Sequence, residues 1–410
     1  MWTATYVFGR LSRRTIETLA AWIPKEQQNS AHLIYKIWRD HVISRFTFES
    51  GRTVKCDAAR ASFAATGRGV VWAVADTGID HTHPHFKTHE TLRLPDGLSH
   101  MDFTRVSPLV DTSPETNGAL IDEDGHGTHV AGIIAGMTCR KGRSPTGRGE
   151  VARITLTVDR LVGDKAITEI VEHEGPISGM APECNLLCLK VLQSGKRGEL
   201  SNVLAAIGFI QRANDNGRNL RIHGLNLSLG HPFDPEWFAA GQSPLCVEVD
   251  RLVRSGVCVV VAAGNGGYGF VALSNGLSER AAHFGTIADP GNSALAITVG
   301  SAHRDMPHTY GVSYFSAKGP TSDGRQKPDL VAPGERIVSC ARMIGTSAKV
   351  APFRSDSGTS MAAPHVSGAI AAFLSVRAEF KGRPEAVKEI FLNSATDLKR
   401  RAEFQGAGLI

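Results

Sequence analysis

The sequence predicts an α/β fold in which a doubly wound, mostly parallel central sheet carries helices on both faces. Three observations predict it. From about Gly69 onward, short β-branched apolar runs alternate with longer helical patterns, the signature of strands joined by crossover helices. The runs are apolar at consecutive positions, as strands covered on both sides must be. The helical segments carry apolar stripes that match one buried face.

Taken in order, residues 70–75 form the first strand, and residues 186–192, 222–227, 257–262 and 294–299 form further ones. A helix over residues 199–216 sets Leu200, Val203, Leu204, Ile207 and Ile210 on one stripe, with Gly217 placed to stop it. A second helix covers residues 244–255. A third, residues 361–378, is apolar nearly all round, as expected of a helix buried in the middle of a domain. Two regions break the alternation. Residues 1–55 hold a candidate amphipathic helix at 15–23 and a candidate strand at 43–48, and read as an N-terminal accessory segment. Residues 56–410 are the main domain, interrupted at about 137–176 by a charged, Gly- and Arg-rich insertion with a β-prone core at 154–158, read as a surface excursion.

Composition narrows the function. The chain has 410 residues, 42 % of them hydrophobic, which suits a globular protein with a sizeable core. A net charge of +5 is spread over scattered Lys and Arg. No basic run is interleaved with aromatics, so a nucleic-acid partner is not expected. The 7 cysteines are an odd number and lie mostly in apolar runs, which predicts reduced, buried thiols. The N-terminal residues lack the apolar stretch of a signal peptide, and no apolar run of about 18 residues occurs. The expectation is a cytoplasmic protein without a membrane partner, or a secreted one if a leader has been removed.

Four motifs carry chemistry. Val74-Ala75-Asp76-Thr77-Gly78 places a carboxylate at the C-terminal end of a buried strand, the edge where open α/β sheets bind ligands; a turn residue would read the same way. In Gly125-His126-Gly127-Thr128-His129 a histidine flanked by glycines opens a helix, free to approach a substrate or another element closely. A packed histidine, or a metal ligand paired with His129, are the alternatives. Ser357-Gly358-Thr359-Ser360-Met361 puts a serine at the start of the apolar helix, where unpaired N–H groups can stabilise a developing anion; an ordinary Ser cap is the bland reading. Ala262-Ala263-Gly264-Asn265-Gly266 ends a strand with an asparagine in a glycine turn, suited to an amide aimed into a cleft or simply to supporting the turn.

Together these stretches resemble the subtilisin family of serine peptidases in the order Asp, His, Asn, Ser and in their flanking residues; the triad order Asp, His, Ser is the established one of subtilisin itself. Tyr314-Phe315-Ser316, Gly319-Pro320 and Lys327-Pro328-Asp329 through Gly334 extend the resemblance, which runs from about Gly67 to Gly408. It implies a serine endopeptidase acting on proteins or peptides, with Asp76, His126 and Ser360 as triad and Asn265 completing the oxyanion hole, and no cofactor for the chemistry. The same fold with a silent site, acting as a binding protein or scaffold, is the alternative. The resemblance further implies that substrate lies between Ser228-Leu229-Gly230 and a loop containing Gly195 and Lys196. Ala262, Ala263, Gly264 and Ala288 would line the first specificity pocket, and Pro290 would follow a cis peptide. Asp122, Glu123 and Asp124 are either a subsite for a basic residue or a solvated loop. Residues 1–55 take the place of a prosegment, whose end, around 46–55, would lie in the cleft. Where secreted relatives have a calcium-binding Asp, His81-Thr82-His83-Pro84-His85-Phe86 puts His85, so structural calcium is not supported by this loop. For a metal, two readings stay open: exposed loop histidines, or an ion bound by histidines of this loop, with His89 as a candidate further ligand.

Overall fold

The computed structural model describes residues 12–21, 47–104, 118–139, 152–162, 165–195, 198–272, 278–345 and 349–410. It divides into two compact units, residues 1–45 and 46–410. In the first, the expected amphipathic helix runs over Arg13–Ala21. Ser12 Oγ accepts from Thr15 N at 3.1 Å as its cap, and Arg13 pairs with Glu17 one turn on.

The second unit is built on seven parallel strands in the spatial order Leu330–Pro333, Ile297–Ala302, Cys258–Ala262, Gly224–Leu227, Val71–Asp76, Asn185–Lys190, Met101–Asp102. The strand Val71–Asp76 shows how the layers form. Its alternate residues Trp72 and Val74 enter one core, while Val71, Ala73 and Ala75 enter the other. On the first side lie the helices His126–Ile134 and Thr359–Val376; on the second lie Leu200–Ala213 and Pro244–Arg254. This is the doubly wound architecture that the unbroken apolar runs predict. The helix Thr359–Val376 is long and apolar enough to cross a membrane, and it is a mostly buried core helix of this domain.

Several boundaries differ from expectation, each for a local reason. The fifth predicted strand starts at Ile297, not 294, because the amides before it bond elsewhere: Leu295 N donates to Asp250 Oδ1 (3.0 Å) and Ala296 N to Ser293 Oγ (3.1 Å). The insertion is more than a surface excursion. It opens with the short strand Met137–Thr138, paired with Ile177–Ser178, and carries a hairpin, Arg153–Val162 with Lys165–His173, whose first strand pairs in parallel with Val350–Asp356 and buries Ile154 and Leu156 in the main core. The strand expected at 43–48 is not formed where it is described: Thr47 and Phe48 begin the helix Thr47–Thr53, and residues 43–46 lie outside the described residues. That helix packs on the strands Ile177–Ser178 and Ile337–Cys340 with Ser50 fully buried, and Thr53 Oγ1 donates to Arg304 O at 2.6 Å. Residues 47–55 therefore pack on the domain and do not extend along a cleft; a short alternation of side chains yields to tertiary packing.

All seven cysteines are buried free thiols, as their apolar settings predict. Burial pushes the thiols of Cys56, Cys246 and Cys258 up to about 12, so little nucleophilic thiolate exists near neutrality. The folded protein should show close to zero thiols reactive to a chromogenic disulfide and all 7 after denaturation; several fast-reacting thiols in the native state would contradict the buried placement.

Candidate active site

Asp76 closes its strand and is 1 % exposed. Its Oδ1 accepts from the following amide, Thr77 N, at 2.8 Å and stands 2.7 Å from His126 Nδ1. An ionised carboxylate there makes Nδ1 the protonated nitrogen of a neutral imidazole and leaves Nε2 as the basic one. Two glycines permit the approach. Gly78 turns the chain away at φ +117, with the Ile121 carbonyl where a Cβ would lie, and a Cβ on Gly127 would stand 2.2 Å from Gly78 O.

Asp122 joins these two elements. Its Oδ1 accepts from Thr77 Oγ1 (2.9 Å) and Gly125 N (2.8 Å), and its Oδ2 from Thr128 N (2.8 Å) and Thr128 Oγ1 (2.6 Å). Thr77 Oγ1 in turn accepts from Gly127 N at 2.9 Å. One buried carboxylate thus caps the histidine helix and ties it to the turn after Asp76. That corrects the reading of Asp122 as a subsite or solvated residue: its oxygens are consumed internally. Glu123 accepts from Lys190 Nζ at 2.6 Å, and Asp124 accepts from Gly195 N at 3.2 Å. An aspartate ahead of Gly-His-Gly-Thr at cap spacing is the sequence signal for this role.

Ser360 sits in the first turn of Thr359–Val376 and lines the same cleft as His126 and Asn265. Its hydroxyl donates to Ser228 O at 3.1 Å, and its own carbonyl accepts from Ser228 Oγ at 2.8 Å. Behind Ser228, Asn226 Nδ2 donates to Ser228 Oγ (2.9 Å) and Ser367 Oγ to Asn226 Oδ1 (2.9 Å), so a buried polar chain fixes the strand end to the serine helix. Asn265 is held from the other side. Its Oδ1 accepts from Thr359 N (2.9 Å) and Thr359 Oγ1 (3.1 Å), while Gly264 N donates to Thr359 Oγ1 at 3.1 Å. With the amide oxygen occupied, the Nδ2 donors are the ones left for a ligand. Thr359 lies inside the Gly-Thr-Ser motif, but nothing local to the motif assigns it this part.

The cleft encloses about 920 Å³. Of the expected substrate residues, Ser228, Leu229, Gly230, Ala262, Gly264 and Ala288 line it. Ala263 does not: it is fully buried, packed in a small cluster with Ala317 and the cleft-lining Ile287, because alternate strand-end residues face opposite ways. Gly195 lies off the cleft lining, and Lys196 is outside the described residues. Leu192, Leu200, Val203, Phe233 and Leu245 add an apolar wall; Leu200 and Val203 stand on a helical stripe whose pattern reads as core alone. The Asp289–Pro290 peptide is cis.

The remaining histidines separate from the site. His129 is buried, its Nε2 shared between Ile337 O and Arg354 O at 3.2 Å each, and desolvation lowers its pKa to about 3. Two of the loop histidines, His83 and His85, correct the reading of exposure because they are fully buried, whereas His81 is exposed. His83 Nε2 meets Pro352 O at 2.9 Å and its Nδ1 accepts from His85 N at 3.2 Å; His85 reaches Thr138 Oγ1 (3.1 Å) and Gly132 O (3.3 Å). Edge contacts from Phe86 and Phe353 complete the packing. Among the described residues, no group of three His, Cys, Asp or Glu is arranged to hold a metal ion.

Known proteins share this outline. Serine protease AprX of Bacillus subtilis (strain 168) is 28 % identical over 359 residues, an alignment that covers 84 % of this chain and 65 % of that protein, just under two thirds of its length. The major intracellular serine protease of the same organism is 30 % identical over 328 residues, covering 79 % of this chain and 74 % of its own. The solved structure of sphericase superposes with a TM-score of 0.58 over 86 % of this chain and 96 % of the other, at 24 % identity, a likeness of fold. Residues 67–408 match the profile of the Subtilase family (Peptidase S8), and the chain belongs to that family.

Proposed function

We propose that the chain is a serine endopeptidase that hydrolyses peptide bonds through an acyl-enzyme on Ser360. The observation that carries this reading is the buried 2.7 Å contact between His126 and Asp76, opening onto a cleft that also holds Ser360 and Asn265. In this mechanism the Ser360 hydroxyl turns from Ser228 O to the basic Nε2 of His126, which takes its proton as Oγ attacks the substrate carbonyl. Asp76 keeps the imidazole in the productive tautomer and stabilises its charged form. The negative oxygen that develops is met by Asn265 Nδ2 and by the Ser360 amide at the helix N-terminus, each donor being worth about 10²–10³ in turnover. His126 then returns the proton to the departing amine, and water cleaves the ester by the same steps in reverse. The reaction as written needs no cofactor.

Substrate main chain would lie along Ser228-Leu229-Gly230 as an added strand, with the first side chain between Ala262, Gly264 and Ala288. Small uncharged walls favour a large apolar residue there. Proteins and peptides are thus the proposed partners, and an intracellular location fits seven reduced thiols. A peptide library should be cut after apolar residues by the wild-type chain, with the sites read by mass spectrometry. A pure, folded protein that cuts none of the peptides would favour the silent scaffold instead.

A further inference from the structure

After Asn265 the chain leaves the cleft through Gly266, forms the hairpin Tyr268–Ala272 and Ser278–Ala282, and re-enters the cleft wall at Gly285 and Thr286. Both roots of the hairpin are therefore part of the cleft. The mount is fixed. Gly267 N donates to Phe315 O (3.0 Å), and Gly267 O accepts from His283 N (3.0 Å) and from Lys318 Nζ (2.7 Å). The same buried ammonium bonds Tyr314 O and Ser316 O at 3.0 Å each, so the hairpin and the Tyr314–Phe315 segment share one anchor.

The register pairs Phe270 with Arg280 and Tyr268 with Ala282, which puts Tyr268, Phe270 and Arg280 on one face. Tyr314 meets Tyr268 edge-on at 5.7 Å, and the Arg280 guanidinium lies 4.9 Å above the Phe270 ring. Despite these contacts, Tyr314 is 66 %, Phe270 64 % and Tyr268 40 % exposed. Clustered exposed aromatics on a rigid mount mark a binding surface, because such rings bury large area at small entropic cost.

We propose that this hairpin face extends the substrate cleft and takes aromatic or large aliphatic side chains of an extended polypeptide, at positions outside those flanking the scissile bond. The occupant is the substrate chain because both hairpin roots line the cleft. The inference rests on the peptidase reading above and deepens it, toward substrates that present unstructured apolar stretches.

The test compares wild type with the variant Tyr268→Ala/Phe270→Ala/Tyr314→Ala on two substrates: a peptide of about twelve residues in which Phe is scanned through the outer positions, and a short peptidyl anilide that fills only the central pockets. The ratio of kcat/KM on the long peptide to that on the anilide should fall about tenfold, chiefly through KM, as expected for lost aromatic contacts. The Tyr268→Phe/Tyr314→Phe variant should keep the wild-type ratio. An unchanged ratio in the alanine variant overturns the inference, whether both activities persist or both fall together through a structural effect. A folded wild-type protein that cleaves neither substrate overturns the peptidase reading itself.

Discussion

Ser360→Ala should abolish proteolysis while leaving the fold intact. The loss expected in kcat is about 10⁶, the magnitude established for the nucleophile of subtilisin, a member of the same family. The physical reason is that neighbouring hydroxyls are committed elsewhere: Ser228 Oγ donates to Ser360 O, and Thr359 Oγ1 to Asn265. Stability should hardly change. The Ser360 hydroxyl donates to Ser228 O, which lies at the cleft and can be rehydrated, so the cost is about 1 kcal/mol or less. Initial rates on casein and a thermal melt give both numbers. A variant retaining more than a trace of wild-type rate would remove Ser360 from the mechanism. The same two proteins test processing: if residues 1–45 act as a removable segment, wild type should be shorter by about that length in intact mass and the variant full-length. Two full-length, correctly folded chains, with wild type active, would make the segment a permanent accessory.

Acidification should destabilise this protein earlier than carboxylate titration alone would. Burial lowers His83, His223 and His365 to about 4, and His85 and His129 to about 3, from an ordinary value of 6.5. The hydrogen bonds to carbonyls, and Asp80 near His83 and Asp356 near His129, oppose the shift without reversing it. Between the folded and unfolded values the unfolded chain binds more protons, so unfolding free energy rises with pH across that window. Stability is therefore fully present above about pH 6.5, declines below it, and levels off only below the folded values. At pH 5 each such histidine costs about 2 kcal/mol. Five together approach the roughly 5–15 kcal/mol of a typical domain. The melting midpoint should fall by more than about 10 °C between pH 7 and pH 5. A midpoint constant over that range would show that these imidazoles are protonated or hydrated in the native state.

The residues 70–75, 222–227 and 257–262 were legible as central strands because consecutive apolar side chains in short runs are best buried on both faces. The four chemical motifs were legible as local words of about five residues, whose order and flanking residues carry the resemblance to a known family; glycine makes room for a close backbone approach at two of their positions, Gly78 and Gly127. What the words lacked was direction. Asp122 reads as one of three acids forming either a subsite for a basic residue or a solvated loop until the fold closes Thr77 and Thr128 around it. Ala262 and Ala263 read alike, yet one lines the cleft and the other lies behind it. The histidines of the 81–86 loop read either as exposed or as holding an ion; His81 is exposed, while His85 and His83 are buried against distant carbonyls at Gly132 and Pro352. The aromatic hairpin after Asn265 carried no motif at all. Periodicity and local backbone demands are properties of neighbouring residues, and they were enough to place five of the seven sheet strands and the main covering helices; the roles of the candidate side chains came from the resemblance of the four motifs to a known family. Which of those side chains share a hydrogen bond, which are sealed from water and which face the cleft depended on the folded arrangement, because the partners lie as many as 269 positions away along the chain.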